Sequence, residues 1–329
     1  STIFNLDKLS YCSDLSSINS IIGAKNNKYE KYKFLHVDLT DETLTDSALK
    51  ESDPDLVFHL AAESHVDRSI EDPQCFVKNN IIGTSNILQA SLKHFENLNS
   101  KRKDNFRFLH ISTDEVFGTL WKTGKFNENT KYDPRSPYSA SKAASDHIAS
   151  AWFHTFNFPI VITNCSNNFG PWQFPEKLIP VTILKAISNQ SIPIYGDGQN
   201  IRDWLFVEDH IDALGLAISK GKLGNSYCIG GYGEKTNLEV VNAICNYLDF
   251  KRPKNNSYSS QIKFVQDRPG HDRRYSIDSS LISRELNWKP QNKFEDSIAK
   301  TTNWYLENLE WCQSMKINSG YKGERLGIK

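Results

Sequence analysis

The stretch Phe106-Arg107-Phe108-Leu109-His110-Ile111-Ser112-Thr113-Asp114-Glu115 sets the frame for the rest of the chain. Its apolar and β-branched residues run almost unbroken, the pattern of a strand covered on both faces, and such strands belong to parallel sheets. The run ends in a hydroxyl and two carboxyls, and ligands of open parallel sheets bind just beyond the carboxyl ends of the strands. Similar runs lie on either side, at Phe34 to Asp38, Leu56 to Leu60 and Ile160 to Asn164. Between them the spacing predicts helices at about Thr43 to Glu51, Pro73 to Phe95 and Pro137 to Phe156. Strand, helix and strand in alternation are the signature of βαβ units, so the expected fold is α/β, a doubly wound parallel sheet.

After Asn168 the texture changes to shorter strands (Ile192 to Tyr195, Asp203 to Val207, Ser226 to Ile229, Lys263 to Gln266), loops rich in Gly, Asn and Arg, and a terminal helix from about Phe294 to Met315. Residues 1–170 are read as a nucleotide-binding domain and 171–329 as mainly a smaller substrate-binding α/β lobe, with some later segments returning to the first. The polar stretch Lys251 to Ser260 reads as a surface loop. Thr2 to Leu6 followed by Asp7 has the form of a second strand ending in the acidic residue that binds an adenosine ribose. On that reading the first strand, a glycine-rich turn and the first helix precede residue 1, roughly 25 residues in all. A chain that truly begins at Ser1 is then expected to be unstable or to aggregate. An ordinary strand-end carboxylate remains the alternative for Asp7 on this segment alone.

Composition narrows the function. Lys and Arg number 39 and so do Asp and Glu, so no net field favours a nucleic acid or an anionic membrane. No apolar run approaches the roughly 18 residues of a membrane span. The 6 cysteines form no C-x-x-C pair, which suits a reducing cytoplasm better than a disulfide framework, and no metal site is expected. His59, His110 and His154 read as core or boundary residues, and Trp172, Trp204 and Trp288 as packing anchors.

Two constellations can carry chemistry. Tyr138 and Lys142 stand four apart near a helix start, on one face. An ammonium there lowers the tyrosine pKa and opens a phenolate to act as general base towards a hydroxyl; an ordinary amphipathic surface is the other reading of that spacing. Thr113-Asp114-Glu115 offers a paired acid and base, one carboxyl protonated to expel a hydroxyl, the other ionised to remove a carbon-bound proton. A solvated turn is the other reading of Asp-Glu. A strand-end Thr with Tyr and Lys on the next helix is more specific than either element alone.

His59-Leu60-Ala61-Ala62-Glu63-Ser64-His65-Val66-Asp67-Arg68-Ser69, Ile111-Ser112-Thr113-Asp114-Glu115-Val116-Phe117-Gly118 and Tyr138-Ser139-Ala140-Ser141-Lys142 resemble the extended short-chain dehydrogenase/reductase family, closely the nucleotide-sugar 4,6-dehydratases. Asn164-Cys165-Ser166-Asn167-Asn168-Phe169-Gly170-Pro171, Pro175-Glu176-Lys177-Leu178-Ile179-Pro180 and Asp267-Arg268-Pro269-Gly270-His271-Asp272-Arg273-Arg274-Tyr275 strengthen the resemblance, which runs from Asp7 to about Tyr321. The subgroup it suggests acts on dTDP-glucose. The resemblance implies a Rossmann-like domain holding NAD, and a lyase in which Tyr138 and Lys142 serve oxidation at C4, with Thr113 holding the 4-hydroxyl, while Glu115 and Asp114 serve elimination across C5 and C6.

Carried over by position, the cofactor contacts are Asp7, Lys8, Leu9 and Ser10, Asp38 and Leu39, Leu60, Ala61, Ala62 and Ser64, Asn79, Tyr138, Lys142 and Ser166. Asp7 favours NAD over NADP, since a carboxylate repels a 2′-phosphate. The nucleotide-diphosphoglucose would meet Ser64, Thr113, Asn167, Glu176, Lys177, Pro193, Tyr195, Arg202, Asn237, Arg268 and His271, with Arg202 and Arg268 as diphosphate clamps. Without the motifs, Asp38 reads as a turn residue, Glu176-Lys177 as a surface pair and the arginines as solvated. The chain departs from the family pattern at Asn79, where a smaller Thr is usual, which leaves that cofactor contact in doubt, and at Phe117, where Tyr is usual. A homodimer through the long helices Pro73 to Phe95 and Pro137 to Phe156 is also implied. The competing readings are a dehydratase of UDP-glucose, a 4-epimerase or decarboxylase of the same family, and a non-catalytic binding protein.

Overall fold

The computed structural model of the chain describes residues 2–22, 31–321 and 323. In its first half the strands are β1 (Ile3–Asp7), β2 (Tyr32–His36), β3 (Leu56–His59), β4 (Arg107–Thr113) and β5 (Ile160–Cys165); then come β6 (Asn167–Phe169), β7 (Ile192–Tyr195), β8 (Ile201–Phe206), β9 (Ser226–Ile229), β10 (Glu234–Thr236) and β11 (Ile262–Val265). A four-stranded sheet has the order β3-β4-β5-β9 with every pair parallel, and β1 pairs in parallel with β2. β9 thus returns from the second half to extend the first sheet. The remaining strands form two small sheets, β10-β8-β6 and β11-β7.

The decisive strand behaves as its composition requires. On β4, Phe108 packs with Leu88, Phe106 and Phe158 on one face, while Leu109 packs with Val161, Ala213 and Ala217 on the other. Helices cover both faces, Pro137–Phe156 on one side and Val207–Lys220 on the other, so the sheet is doubly wound. Each fully buried Phe or Leu there contributes about 1.5–3 kcal/mol. The in-register pairing of Thr113 with Cys165 brings the ends of β4 and β5 out together, and the polar tail of β4 opens beside the start of helix Pro137–Phe156.

That helix starts where it does because Ser136 and Ser139 cap each other, side chain to backbone, with Pro137 in the first turn, and it stops at Asn157 in the left-handed conformation. The preceding long helix is not uniform. It runs as α-helix at Pro73–Phe76, as a π-helical turn at Val77–Ile82, and again as α-helix at Gly83–Asn97. The wide turn holds Asn80, buried, whose side chain accepts from Glu63 N at 2.8 Å and donates to Glu63 O at 3.0 Å and Ser141 Oγ at 2.9 Å.

Three differences from the sequence reading concern the second half. The expected terminal helix is two, Phe294–Glu307 and Leu309–Ser319, because Asn308 leaves the helical region. Helices Leu178–Ile187, Val207–Lys220 and Asn237–Lys251 occupy stretches read as loop-rich. The polar stretch at 251–260 is no free loop, since Asp249 accepts from Tyr258 N and the Tyr258 ring is buried. Trp288 is the anchor expected of it, its indole donating to Asp209 O, and His59 and His110 are buried, whereas His154 is exposed.

Candidate active site

The hydroxyl and the two carboxyls occupy the turn immediately past β4. Thr113 caps this turn, its Oγ1 accepting from Glu115 N, and Gly118 ends it at φ 83. A Cβ at Gly118 would meet Asp133 O at 2.6 Å, so no other residue fits that close approach.

Asp114 and Glu115 are adjacent in sequence and differ in surroundings. Asp114 is 1% exposed and its Oδ2 has no hydrogen-bond partner among the described residues. Burial, then the neighbouring Glu115 and Asp203, push its carboxyl well above the ordinary range. Burial also raises Glu115, but Arg268, Arg202 and Lys177 oppose it with three positive charges. Surroundings that drive a pair of carboxyls apart in this way give one the role of acid and the other that of base.

Tyr138 and Lys142 come together as the helical spacing requires, both buried, but the electrostatics differ from expectation. The phenol is pushed well above its ordinary value, by burial first and then by Glu115, and the influence that pulls it down is a hydrogen bond with Thr113. The Lys142 ammonium is turned to Ile111 O at 2.7 Å, with Asp146 one turn further along as its charge partner. Burial works to raise Asp146, yet bonds from His110 and Ser112 hold it below the usual range. Asp146 accepts from Ser112 at 2.7 Å and Tyr132 at 2.9 Å, with His110 at 2.9 Å, so one carboxylate ties the helix Pro137–Phe156 to β4 and to the loop before that helix.

Among the residues proposed for a nucleotide cofactor, Leu60, Ala61, Ala62 and Ser64 are exposed in the loop after β3. Asp7 holds the backbone N of Leu9, itself in the left-handed region, and Asp38 holds Thr40 N, the turn-residue reading of that aspartate. Lys8 bonds Asn79 and pairs with Glu63, so Asn79 serves here to fix Lys8. Ser10 meets Cys12, and Leu39 packs against Gly83. The Ser166 hydroxyl is buried and has no partner among the described residues, as is the Oδ1 of Asn167; an amide of a bound nicotinamide would satisfy such atoms.

On the substrate side the structure redistributes roles. Glu176 is 8% exposed and fully engaged, accepting from Tyr11 at 2.8 Å and from Arg68 at 2.9 Å, with the Arg68 guanidinium 3.8 Å above the Tyr11 ring. Its neighbour Lys177 donates to Ser64 O. Asp67 accepts from Arg268 at 2.8 Å and from Tyr195 at 3.2 Å, leaving Arg268 Nε buried with no partner among the described residues. Arg202 donates to the Asp272 and Ile201 carbonyls and stacks 4.2 Å from the Tyr275 ring. Asn237 opens helix Asn237–Lys251, Pro193 lies on β7, and His271 bonds Asp267. Sequence reasoning misses Tyr11, Asp67, Arg68 and Asp146 as site residues; Asp67 and Arg68 lie inside the motif His59 to Ser69, and the position of Asp146 four residues after Lys142 is the available signal for it.

The family model described as GDP-mannose 4,6 dehydratase matches residues 1–301. The dTDP-glucose 4,6-dehydratase of Xanthomonas campestris pv. campestris is 49% identical over 327 residues, covering 99% of this chain and 92% of that protein. The enzyme of the same name from Salmonella typhimurium is 48% identical over 340 residues, covering 98% and 93%. Among solved structures, DesIV, a dTDP-glucose 4,6-dehydratase from Streptomyces venezuelae crystallised with NAD bound, superposes with a TM-score of 0.86 at 36% identity, covering 96% of this chain and 90% of that one. With a strand-end acid pair facing a buried Tyr and Lys on the next helix, and with a match across nearly the whole sequence, the chain belongs to the GDP-mannose 4,6 dehydratase family of nucleotide-sugar enzymes.

Proposed function

We propose that this chain is a hydro-lyase that removes water from the glucose of dTDP-glucose to give the dTDP-4-keto-6-deoxy sugar. The observation that carries the reading is the Asp114-Glu115 pair, two adjacent carboxyls of which one meets two further acids and a single opposing cation, Arg202, and the other faces three cations. Oxidation or epimerisation at C4 alone has no use for such a pair; elimination across C5 and C6 needs both members. The choice of thymidine nucleotide is supported by relatives of that name at 48–49% identity.

Bound NAD supplies a hydride acceptor for C4 and a hydride donor for C6, so that the cycle is redox-neutral. Asp7 to Ser10, Asp38, Leu39, the loop Leu60 to Ser64, Asn79 and Ser166 would hold it. Tyr138, as phenolate, takes the proton of the 4-hydroxyl, which Thr113 holds in place. The ketone at C4 acidifies the C5 hydrogen, and Glu115 removes it. Asp114 gives its proton to the departing 6-hydroxyl, and Glu115 returns the C5 proton. Arg202, and Arg268 through an Nε that has no partner among the described residues, would receive the diphosphate, with Lys177, Asn167, Asn237, Tyr195 and His271 as further contacts.

A homodimer is supported by the apolar residues Val77, Ile82 and Phe156, exposed on the two long helices; light scattering at micromolar concentration checks it, a monomer mass counting against it. No helix among the described residues is long and apolar enough to cross a membrane, and six free thiols suit a cytoplasmic setting. The deciding assay follows dTDP-glucose with NAD by mass spectrometry. The expected outcome is loss of one water without accumulation of reduced nicotinamide, and an unchanged sugar nucleotide overturns the reading.

A further inference from the structure

The mechanism proposed above, on which this inference rests, leaves the site one proton out of place after every turnover. Tyr138 begins as phenolate and ends as phenol, holding the proton of the 4-hydroxyl. Asp114 begins as carboxylic acid and ends as carboxylate, its proton gone with the expelled water. Glu115 takes a proton from C5 and gives one back, and the hydride is returned. The site is ready again only when one proton has moved from Tyr138 to Asp114.

We infer that the hydroxyl of Thr113 carries this proton, as a relay between the phenol and the carboxylate. Thr113 Oγ1 donates to Asp114 Oδ1 at 3.4 Å, and the same hydroxyl is near enough to the Tyr138 phenol to lower its pKa, so a single hydroxyl stands beside both groups that must exchange. In the relay the phenolic O–H bond breaks as its proton bonds to Thr113 Oγ1, and the hydroxyl's own proton leaves for Asp114 Oδ1. Threonine ends as it began, no electron changes hands, and phenolate and carboxylic acid are restored. Direct exchange with water is impeded on this path, because Tyr138 and Thr113 are each 8% exposed and Asp114 is 1% exposed. Burial first and Glu115 second favour the protonated form of Asp114, as they do that of Tyr138, so the relay joins two groups that both hold a proton readily. A serine keeps the hydroxyl, whereas valine keeps the shape and loses it.

The test separates the first turnover from those that follow. Protein loaded with NAD is mixed with dTDP-glucose in wild-type, Thr113→Val and Thr113→Ser forms. Rapid quenching gives the rate of the first turnover, and steady-state assays give kcat. Orientation of the 4-hydroxyl affects both rates alike; the relay affects only the second. The expected result for Thr113→Val is a burst of one product per site, followed by turnover slowed about 100-fold further than the first event. Small acids such as imidazolium or formic acid should speed that slow phase, and Thr113→Ser should lose the burst. Equal losses in both rates for Thr113→Val, or a slow phase indifferent to added acids, overturn the relay. Thr113→Ala takes the place of the valine form if the latter does not fold. Failure of the dehydratase reading is distinct, since wild-type protein would then release no water at all.

Discussion

Two groups of charges in the candidate site are built on opposite principles. The group past β4 draws its members from nearby sequence: Thr113, Asp114 and Glu115 from one turn, Tyr138, Lys142 and Asp146 from one helix. Its Asp146 is well bonded, but Asp114 at the strand end has a carboxyl oxygen with no partner among the described residues. The other group is assembled from far apart, Tyr11 and Arg68 on Glu176, and Arg268 and Tyr195 on Asp67. There each acid is saturated by an arginine and a phenol. Underpaired carboxyls are poised to exchange protons, while saturated ones hold walls in place.

The sharpest way to separate the two groups is to neutralise one acid in each. Glu115→Gln should lower turnover about 1,000-fold with little change in thermal stability. Because C4 oxidation does not use Glu115, reduced nicotinamide should build up, visible as its absorbance. A variant of full activity breaks the division. Glu176→Gln should act in reverse order. It strips the acceptor from Arg68, a partly buried pair with side chains 26% and 2% exposed, and costs on the order of 3 kcal/mol of stability. KM should rise with kcat nearly kept, since Lys177, the next residue, loses its footing; kinetics and a thermal melt read both. A melt unchanged from wild type would show that Glu176 is not structural.

The remaining effect expected is one of pH, and it concerns buried histidines. Burial lowers His210 to about 4 and holds His59 well below its ordinary value, and His110 is lowered as well. The native state therefore binds fewer protons than the unfolded one below pH about 6.5. Stability is full above that value and is lost as pH falls towards 4, on the order of 3 kcal/mol from His210 alone. Thermal midpoints from pH 8 to pH 4 should fall across this window, and His210→Asn should flatten the fall.

The same contrast explains what could be read from the sequence. The parallel sheet was legible because β4 and β5 are apolar on both faces, and the helix Pro137–Phe156 because Ser136, Pro137 and Asn157 mark its ends. The nearness of Tyr138 to Lys142 and of Thr113, Asp114 and Glu115 to one another was legible, because they sit four residues apart on one helix or side by side on one turn; Asp146 was not singled out. The long-range group was not legible: nothing in Arg68 or Glu176 taken singly says that they meet across 108 residues. Nor did spacing reveal the direction of the Tyr138 shift, since periodicity places Lys142 on the same face but cannot say that its ammonium turns to Ile111 O. Asn308 splits the last helix without Gly or Pro, so no residue type announced the break.

The π-helical turn at Val77–Ile82 carries a consequence for how the protein tolerates change of length. A helix advances about 100° per residue, so a turn holding one residue more than the α pitch re-phases everything after it. Asn80 grips both the N–H and the C=O of Glu63 and touches Ser141 of the catalytic helix, and it does so from within that turn. What is specified there is a count as much as a composition. Removing any one residue between 77 and 82 would swing the amide away from the loop after β3, whereas most exchanges of side chain at the exposed positions would leave it in reach; this short segment is a place where deletions and substitutions are judged by different rules.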